Sequence, residues 1–111
     1  MAPNNFLGEF EQMVLLAILQ RGDRAYGVEV RREIEESSGR KVTRGAFYTT
    51  LDRLESKGYL RWTTRAVEGW RGGIPQRHFE VTAEGRAKLQ QSRNALTRLW
   101  RGLDEKMRPN S

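Results

Sequence analysis

The side chains of this 111-residue chain that could do chemistry are mostly cations, and they are concentrated after residue 39. Residues 1–39 carry four bases and seven acids, residues 40–80 carry nine bases and four acids, and residues 81–111 carry seven bases and three acids. A basic excess confined to part of a chain indicates a charged face, whereas a general solvating charge is spread more evenly. The net charge of +6 therefore favours a polyanionic partner, such as nucleic acid or a membrane surface.

Groups that could support other kinds of chemistry are missing from the sequence. It has no cysteine, which excludes disulfides, thiolate zinc sites and cysteine nucleophiles. His78 is the only histidine and has no spaced carboxylate partner, so we expect no metal site. The glycine-rich residues 69–73 precede no predicted helix, so they are not a nucleotide phosphate loop.

Nothing in the sequence predicts a membrane protein or an enzyme. It has no apolar run of about 18 residues, and its first residues do not resemble an export signal. It also lacks a plausible catalytic set of serine, histidine and acid. We therefore expect a cytoplasmic protein that is not an enzyme and that uses no cofactor or metal.

Hydrophobic spacing predicts that three helices position the cations. Apolar residues at helical spacing over residues 7–18 predict a first helix that ends at Gly22. Leu15, Leu16 and Leu19 widen its apolar stripe, so this helix should be buried on more than one side and is a candidate for a subunit contact.

The next two helices follow after short connections. Apolar residues at four-residue intervals predict a second helix over residues 26–38. Thr43 is placed to cap a third helix that ends at Gly58. The apolar stripe of this third helix consists of Phe47, Leu51 and Leu54.

The pattern then changes to alternation, which predicts a β-hairpin. Two short strands, at residues 60–65 and 78–81, flank a glycine-rich basic loop. Thr82 can cap a final helix over residues 83–107. Its long apolar stripe has little left to pack on within so short a chain, so we expect it to pair with a second copy. The expected dimerisation residues are Leu89, Leu96, Leu99, Trp100, Leu103 and Met107.

Three helices followed by a hairpin are the element order of the winged helix variant of helix-turn-helix, a mainly α fold with a two-stranded wing. In such folds the third helix enters the major groove of DNA. For Tyr48 the alternative to DNA contact is a brace for the third helix, and for Arg53 it is an ion pair with Glu55 or an acid of the second helix. The candidate DNA-binding residues are Lys41, Thr43, Arg44, Gly45, Tyr48, Thr49, Arg53, Arg71 and Arg77.

Three motifs in the same order resemble the PadR-like transcriptional regulators. Residues 45–60 (GAFYTTLDRLESKGYL) are similar to the recognition helix of that family, although Thr49 stands where proline is usual. Residues 25–27 (AYG) match its Tyr-Gly pair, and residues 77–85 (RHFEVTAEG) resemble its wing strand and the Thr-x-x-Gly that follows. The resemblance implies a winged helix dimer in which the single C-terminal helices exchange contacts. Some relatives hold flat aromatic molecules between the subunits near such tryptophans, which makes Trp100 a candidate effector contact; the alternative is an apolar plug in the dimer core.

We therefore predict a flexible tail at residues 1–6, a winged helix DNA-binding domain at 7–82, a dimerisation helix at 83–107 and a second tail at 108–111. The predicted protein is a homodimeric, nucleoid-associated regulator, a repressor that binds a pseudo-palindromic operator and can be relieved by a small aromatic effector. The alternatives are a winged helix module that binds an acidic protein and a small enzyme, for which no catalytic set was found.

Overall fold

A computed structural model describes residues 6–66 and 73–109. A single 3-10 turn, Gly22–Arg24, separates the first two helices. The order of elements confirms a mainly helical fold with a two-stranded hairpin. The helices and strands are α1 (Glu9–Arg21), α2 (Gly27–Ser38), α3 (Arg44–Ser56), β1 (Leu60–Ala66), β2 (Pro75–Val81), α4 (Ala83–Trp100) and α5 (Asp104–Met107).

The core lies where α1, α2 and α3 meet the inner face of the hairpin. Phe47 of α3 and Phe79 of β2 are its largest fully buried side chains. The predicted apolar stripe of α3 is buried as expected. The prediction for α1 is correct for Leu15 but wrong, within one subunit, for Leu16 and Leu19, whose exposed fractions are 49% and 40%.

Two threonine caps fix where the helices begin. The Thr43 hydroxyl accepts a hydrogen bond from the backbone N–H of Ala46 at 3.2 Å, and that of Thr82 accepts one from Gly85 at 3.0 Å. Each bond satisfies an amide that the first turn of a helix leaves unpaired. Both predicted caps are thereby confirmed.

The hairpin is tied to the helices along its β2 edge. β1 and β2 pair antiparallel, with Leu60 opposite Val81. On the other edge of β2, the Phe79 N–H donates to the Ala25 carbonyl at 2.9 Å. His78 is buried against the turn before α2, and its Nε2–H donates to the Gly22 carbonyl at 3.0 Å. The start of α2 therefore fixes the position of the wing.

The C-terminal helix is shorter than predicted. α4 ends at Trp100, and Gly102 (φ 74°) takes the left-handed conformation that turns the chain before α5. Glycine adopts this conformation at no steric cost, so it stops the helix that the apolar spacing alone would continue. Leu103 and Met107 therefore do not extend the stripe of α4. In the described part of the chain, no helix combines the length and apolar character needed to cross a bilayer.

Candidate nucleic-acid interface

A groove of about 710 Å³ lies between the start of α2, the start of α3 and strand β2. Its polar lining is dominated by arginines from all three elements, together with Asp23 and Glu29. These arginines are Arg24, Arg32, Arg44 and Arg77. Because α3 begins at this groove, the sequence-predicted DNA residues Arg44, Tyr48 and Arg77 lie together around it.

Ion pairing leaves two of these arginines with uncompensated charge. Glu29 pairs with Arg24 at 3.8 Å and with Arg32 at 3.2 Å. Neither Arg44 nor Arg77 forms an ion pair with any residue that the structure describes. Glu29 also pairs with Arg21 at 3.1 Å, so Arg24 and Arg32 share one carboxylate with a third arginine, and all four groove arginines contribute to its positive charge.

Of the two roles that the sequence left open for Tyr48, the contacts within the protein support the brace, and DNA contact stays a prediction. Its ring is half-buried and packs edge-on against the neighbouring Phe47 of the same helix, with 5.2 Å between centroids. The Arg44 guanidinium carbon lies 5.5 Å from the Tyr48 ring centroid, on the groove side. The Tyr48 hydroxyl rests against Gly27, where an added Cβ would lie 2.6 Å from the oxygen. The absence of a side chain at the start of α2 thus allows Tyr48 its position.

Arg77 is held in a similar way on the other wall of the groove. Its guanidinium carbon lies 4.4 Å from the centroid of the Trp62 ring, close enough for a cation–π contact. The Trp62 indole N–H in turn donates to a carboxylate oxygen of Glu55 in α3 at 3.1 Å. Both arginines with uncompensated charge therefore rest on aromatic rings.

The remaining candidates on the start of α3 are exposed. Lys41 and Thr49 are exposed, and Thr43 uses its hydroxyl as the cap of α3. At Gly45 an added Cβ would meet no atom of the described chain within 4 Å. Packing inside the protein therefore does not explain the glycine. Arg71 lies outside the described residues.

Arg53 is engaged inside the protein, with a partner that the sequence did not indicate. Its guanidinium lies 3.9 Å from a carboxylate oxygen of Glu11 in α1, and the Lys57 ammonium lies 3.0 Å from the same oxygen. The other oxygen of Glu11 accepts the Gly8 N–H at 2.8 Å. Burial raises the pKa of Glu11, but the Gly8 hydrogen bond and the Lys57 and Arg53 cations outweigh it and lower that pKa overall.

Arg40, just before α3, is also partly engaged. Its guanidinium lies 3.2 Å from Glu9 and 5.2 Å from the centre of the Phe10 ring, both in α1. It is therefore less available to a partner than Lys41, which forms no ion pair with the described residues.

Sequence reasoning missed the roles of three residues: Glu11, Trp62 and Gly27. Glu11 could have been noticed because it places a charge on the apolar stripe of α1. Gly27 belongs to the Tyr-Gly motif. That it makes room for the Tyr48 hydroxyl, however, depends on how α2 and α3 pack. The coupling of Trp62 to Glu55 and Arg77 needs the register of the hairpin and its position on α3.

A separate apolar surface lies between α1 and α4. Leu16, Leu19, Leu96 and Trp100 line a groove of about 500 Å³, with Leu89 buried at its base. The other predicted dimerisation residues lie outside this groove: Leu99 and Met107 are exposed, and Leu103 is half-buried. The predicted residues are therefore only partly brought together.

Comparison with known proteins points to one family. The transcriptional regulator PadR-like family matches residues 15–91. The transcriptional regulator Rv3488 of Mycobacterium tuberculosis is 40% identical over 63 residues, which are 57% of this chain and 55% of that protein. The chain thus spans about half the length of this relative.

Solved structures share the fold across nearly the whole chain. A PadR-like transcriptional regulator from Bacillus cereus superposes with a TM-score of 0.74 at 18% identity, covering 91% of this chain and 93% of that one. A PadR family transcription regulator from Clostridium difficile has a TM-score of 0.72 at 20% identity, with coverage of 91% and 100%. These likenesses confirm the winged helix fold. The family and the relatives described here are transcriptional regulators, which confirms the expectation that the chain is not an enzyme.

Proposed function

This chain belongs to the PadR-like family of transcriptional regulators, and we propose that it acts by binding double-stranded DNA through α3 and the β1–β2 wing. One observation carries the proposal: Arg44 and Arg77 face a common groove without a described acidic partner. Burying uncompensated charge against an anionic duplex is favourable because each phosphate neutralised releases condensed counterions.

The two halves of the interface have different tasks. The start of α3 enters the major groove, where Arg44 can bind a guanine edge and Thr49 a thymine methyl or the backbone. Gly45 lets the helix approach closely because no side chain intervenes. Lys41 and Arg77 bind phosphates, which adds affinity but little sequence information.

A second copy of the chain completes the binding unit in this proposal. Leu16 and Leu19 of α1 and Leu96 and Trp100 of α4 form an apolar surface that the subunit leaves uncovered. Exposed apolar surfaces of this kind mark interfaces. A two-fold dimer presents two α3 helices to successive major grooves, about 34 Å apart, and so requires a pseudo-palindromic operator.

Selection of bound sequences from a random pool of duplexes tests this function. We expect enrichment of an inverted repeat whose half-sites are centred about 10 base pairs apart. Lack of any enrichment would contradict sequence-specific binding and favour an acidic protein as the partner of the basic face. Arg44→Ala should weaken binding to the selected duplex, and Lys106→Ala is its matched control, since it removes an exposed cation of α5 outside the groove.

Repression relieved by a small aromatic effector is part of the same proposal. Trp100 is 53% exposed and lines the groove between α1 and α4, where a flat ligand could change the angle between the two subunits. An effector should quench tryptophan fluorescence and weaken operator binding in parallel. Aromatic ligands that change neither signal would contradict this part of the proposal.

A further inference from the structure

We propose that Trp62 is a positioning residue that holds the Arg77 guanidinium ready for a DNA phosphate and fixes the wing relative to α3. The inference rests on the proposed DNA-binding function and adds a residue that makes no contact with DNA itself. The inference is based on two consecutive contacts: Glu55 of α3 with Trp62 of β1, and Trp62 with Arg77 of β2.

The register of the hairpin places Trp62 beside Arg77. Trp62 lies opposite Phe79, and Arg77 lies opposite Thr64. Trp62 and Arg77 are therefore diagonal neighbours on the face that also carries the buried Leu60 and Phe79, a spacing that long side chains can bridge. This geometry accounts for the 4.4 Å between the guanidinium carbon and the centre of the indole ring.

Glu55 orients the indole through one hydrogen bond. Its carboxylate accepts the indole N–H at 3.1 Å, and α3 supplies the rigid support for that carboxylate. The half-buried Trp62 also packs against the core. Arg77 forms no ion pair with Glu55 or with any other described residue, so its charge stays uncompensated.

The contact with Trp62 leaves donors of the Arg77 guanidinium free for a phosphate. The five N–H donors of a guanidinium lie in its plane, so a ring that covers one face does not block binding of a phosphate at the edge. An arginine already held in one orientation also loses less side-chain entropy when it binds. Arg61 on the same hairpin shows the contrast, since its guanidinium is paired with Glu80 at 3.1 Å.

The stacking itself can be tested without DNA. In the NMR spectrum of the full chain, the Arg77 side-chain Nε–H resonance should be shifted upfield by the indole ring current. Trp62→Leu should abolish the shift, and Trp62→Phe should keep part of it because a ring face remains. An Arg77 resonance at the same position in wild type and Trp62→Leu would overturn the inference.

The effect on DNA binding is tested by a double-mutant cycle with measured salt dependence. Arg77→Ala should reduce the slope of log affinity against log salt by about 0.9 for each phosphate that is no longer neutralised. We expect Trp62→Leu to reduce the slope equally, the double variant to show no further reduction, and Trp62→Phe to recover most of it. Arg65→Ala, on the same hairpin, is the control. It should change the slope by the same amount in wild type and in Trp62→Leu.

The outcomes separate the inference from the proposed function. Normal wild-type binding with an unchanged slope in Trp62→Leu, or additive reductions in the double variant, would overturn the role of Trp62 alone. Absence of duplex binding by the wild-type chain would overturn the proposed function and, with it, the role of Trp62 towards phosphate. If Trp62→Leu fails to fold, Glu55→Ala takes its place: it removes the acceptor of the indole N–H and should likewise reduce the slope, and an unchanged slope would overturn the role of Trp62.

Discussion

Single residues determine how closely α3 can approach another molecule, and Gly45 is the clearest case. It lies in the first turn of α3, where glycine weakens a helix relative to alanine, and nothing in the described chain requires it. In the proposed function, the reason for this glycine is the close approach of DNA.

Gly45→Ala should therefore separate stability from binding. We expect the free energy of unfolding in urea to rise by up to about 1 kcal/mol, because alanine favours the helix. Affinity for operator DNA should fall, because the new methyl group occupies the space of closest approach. Tighter or unchanged DNA binding would show that α3 does not contact DNA at this position.

Residue roles were predictable from sequence only where they depend on the helix period. The exposed positions of Arg44, Gly45 and Thr49 follow directly from the apolar stripe on the other side of α3. Glu11 and Lys57 are 46 residues apart, and no local pattern indicates that their side chains meet at 3.0 Å. Side chains that couple two elements need the packing angle between those elements, which periodicity does not contain.

The elements are held in place by a few contacts between helices, of which the Glu11 cluster is one. Glu11 joins the start of α1 to Arg53 and Lys57 near the end of α3. The Gly8 hydrogen bond and the two cations outweigh burial and lower the pKa of Glu11 in the folded state, so they add stability above its ordinary value of 4.5, and this stability is lost as pH falls through the lowered pKa.

Glu11→Gln should lower the free energy of unfolding at pH 7 by about 1–3 kcal/mol, since the charged partner of two cations is removed. The variant should also lose less stability than wild type on acidification below pH 4.5. Urea unfolding at several pH values measures both effects. Glu9→Gln is the control because Glu9 is exposed and pairs only at the surface with Arg40. Parallel acid profiles for wild type and Glu11→Gln would contradict this role.

The junction between the wing and α4 leaves no room for a side chain at Gly85. An added Cβ would collide with the Tyr59 carbonyl oxygen and lie 2.8 Å from a methyl group of Val81. Gly85→Ala should therefore destabilise the protein by about 1–3 kcal/mol, although alanine is the better helix former. The same substitution at Gly45 is the control, with the opposite sign in the same denaturation assay. A stabilised Gly85→Ala variant would refute this explanation.

The sequence predicted the elements better than their ends. The caps at Thr43 and Thr82, the three helices and the hairpin all follow from local rules. The C-terminal helix was predicted to reach residue 107 because its apolar spacing continues, but Gly102 interrupts it. A single left-handed glycine thus outweighed a hydrophobic pattern.

At the scale of the whole molecule, the proposed function needs two surfaces with no lining residue in common. The groove at α3 carries uncompensated arginines, and the groove between α1 and α4 is lined by leucines and Trp100, with Arg86 and Arg93 among its polar residues. With DNA bound at the groove of α3 and another subunit bound at the groove between α1 and α4, the dimer would bind a two-fold symmetric DNA site through both subunits.

Leu96→Glu tests the subunit contact. Leu96 is 50% exposed in a single chain, so a charge there should leave the fold intact but prevent apolar pairing. We expect monomers by analytical ultracentrifugation and a large drop in operator affinity, because a monomer cannot bind through two subunits. Asn94→Glu is the control, since this exposed residue of α4 does not line the groove. A Leu96→Glu variant that stays dimeric would place the interface elsewhere.

The most direct test of duplex binding by α3 and the wing is the affinity for operator DNA measured between about 50 and 200 mM salt. If about six phosphates are neutralised, wild-type affinity should fall by roughly three orders of magnitude over that range. Arg44→Ala should bind more weakly throughout, while Lys106→Ala should match wild type. Affinity that does not change with salt, or no binding at the lowest salt, would contradict the assignment.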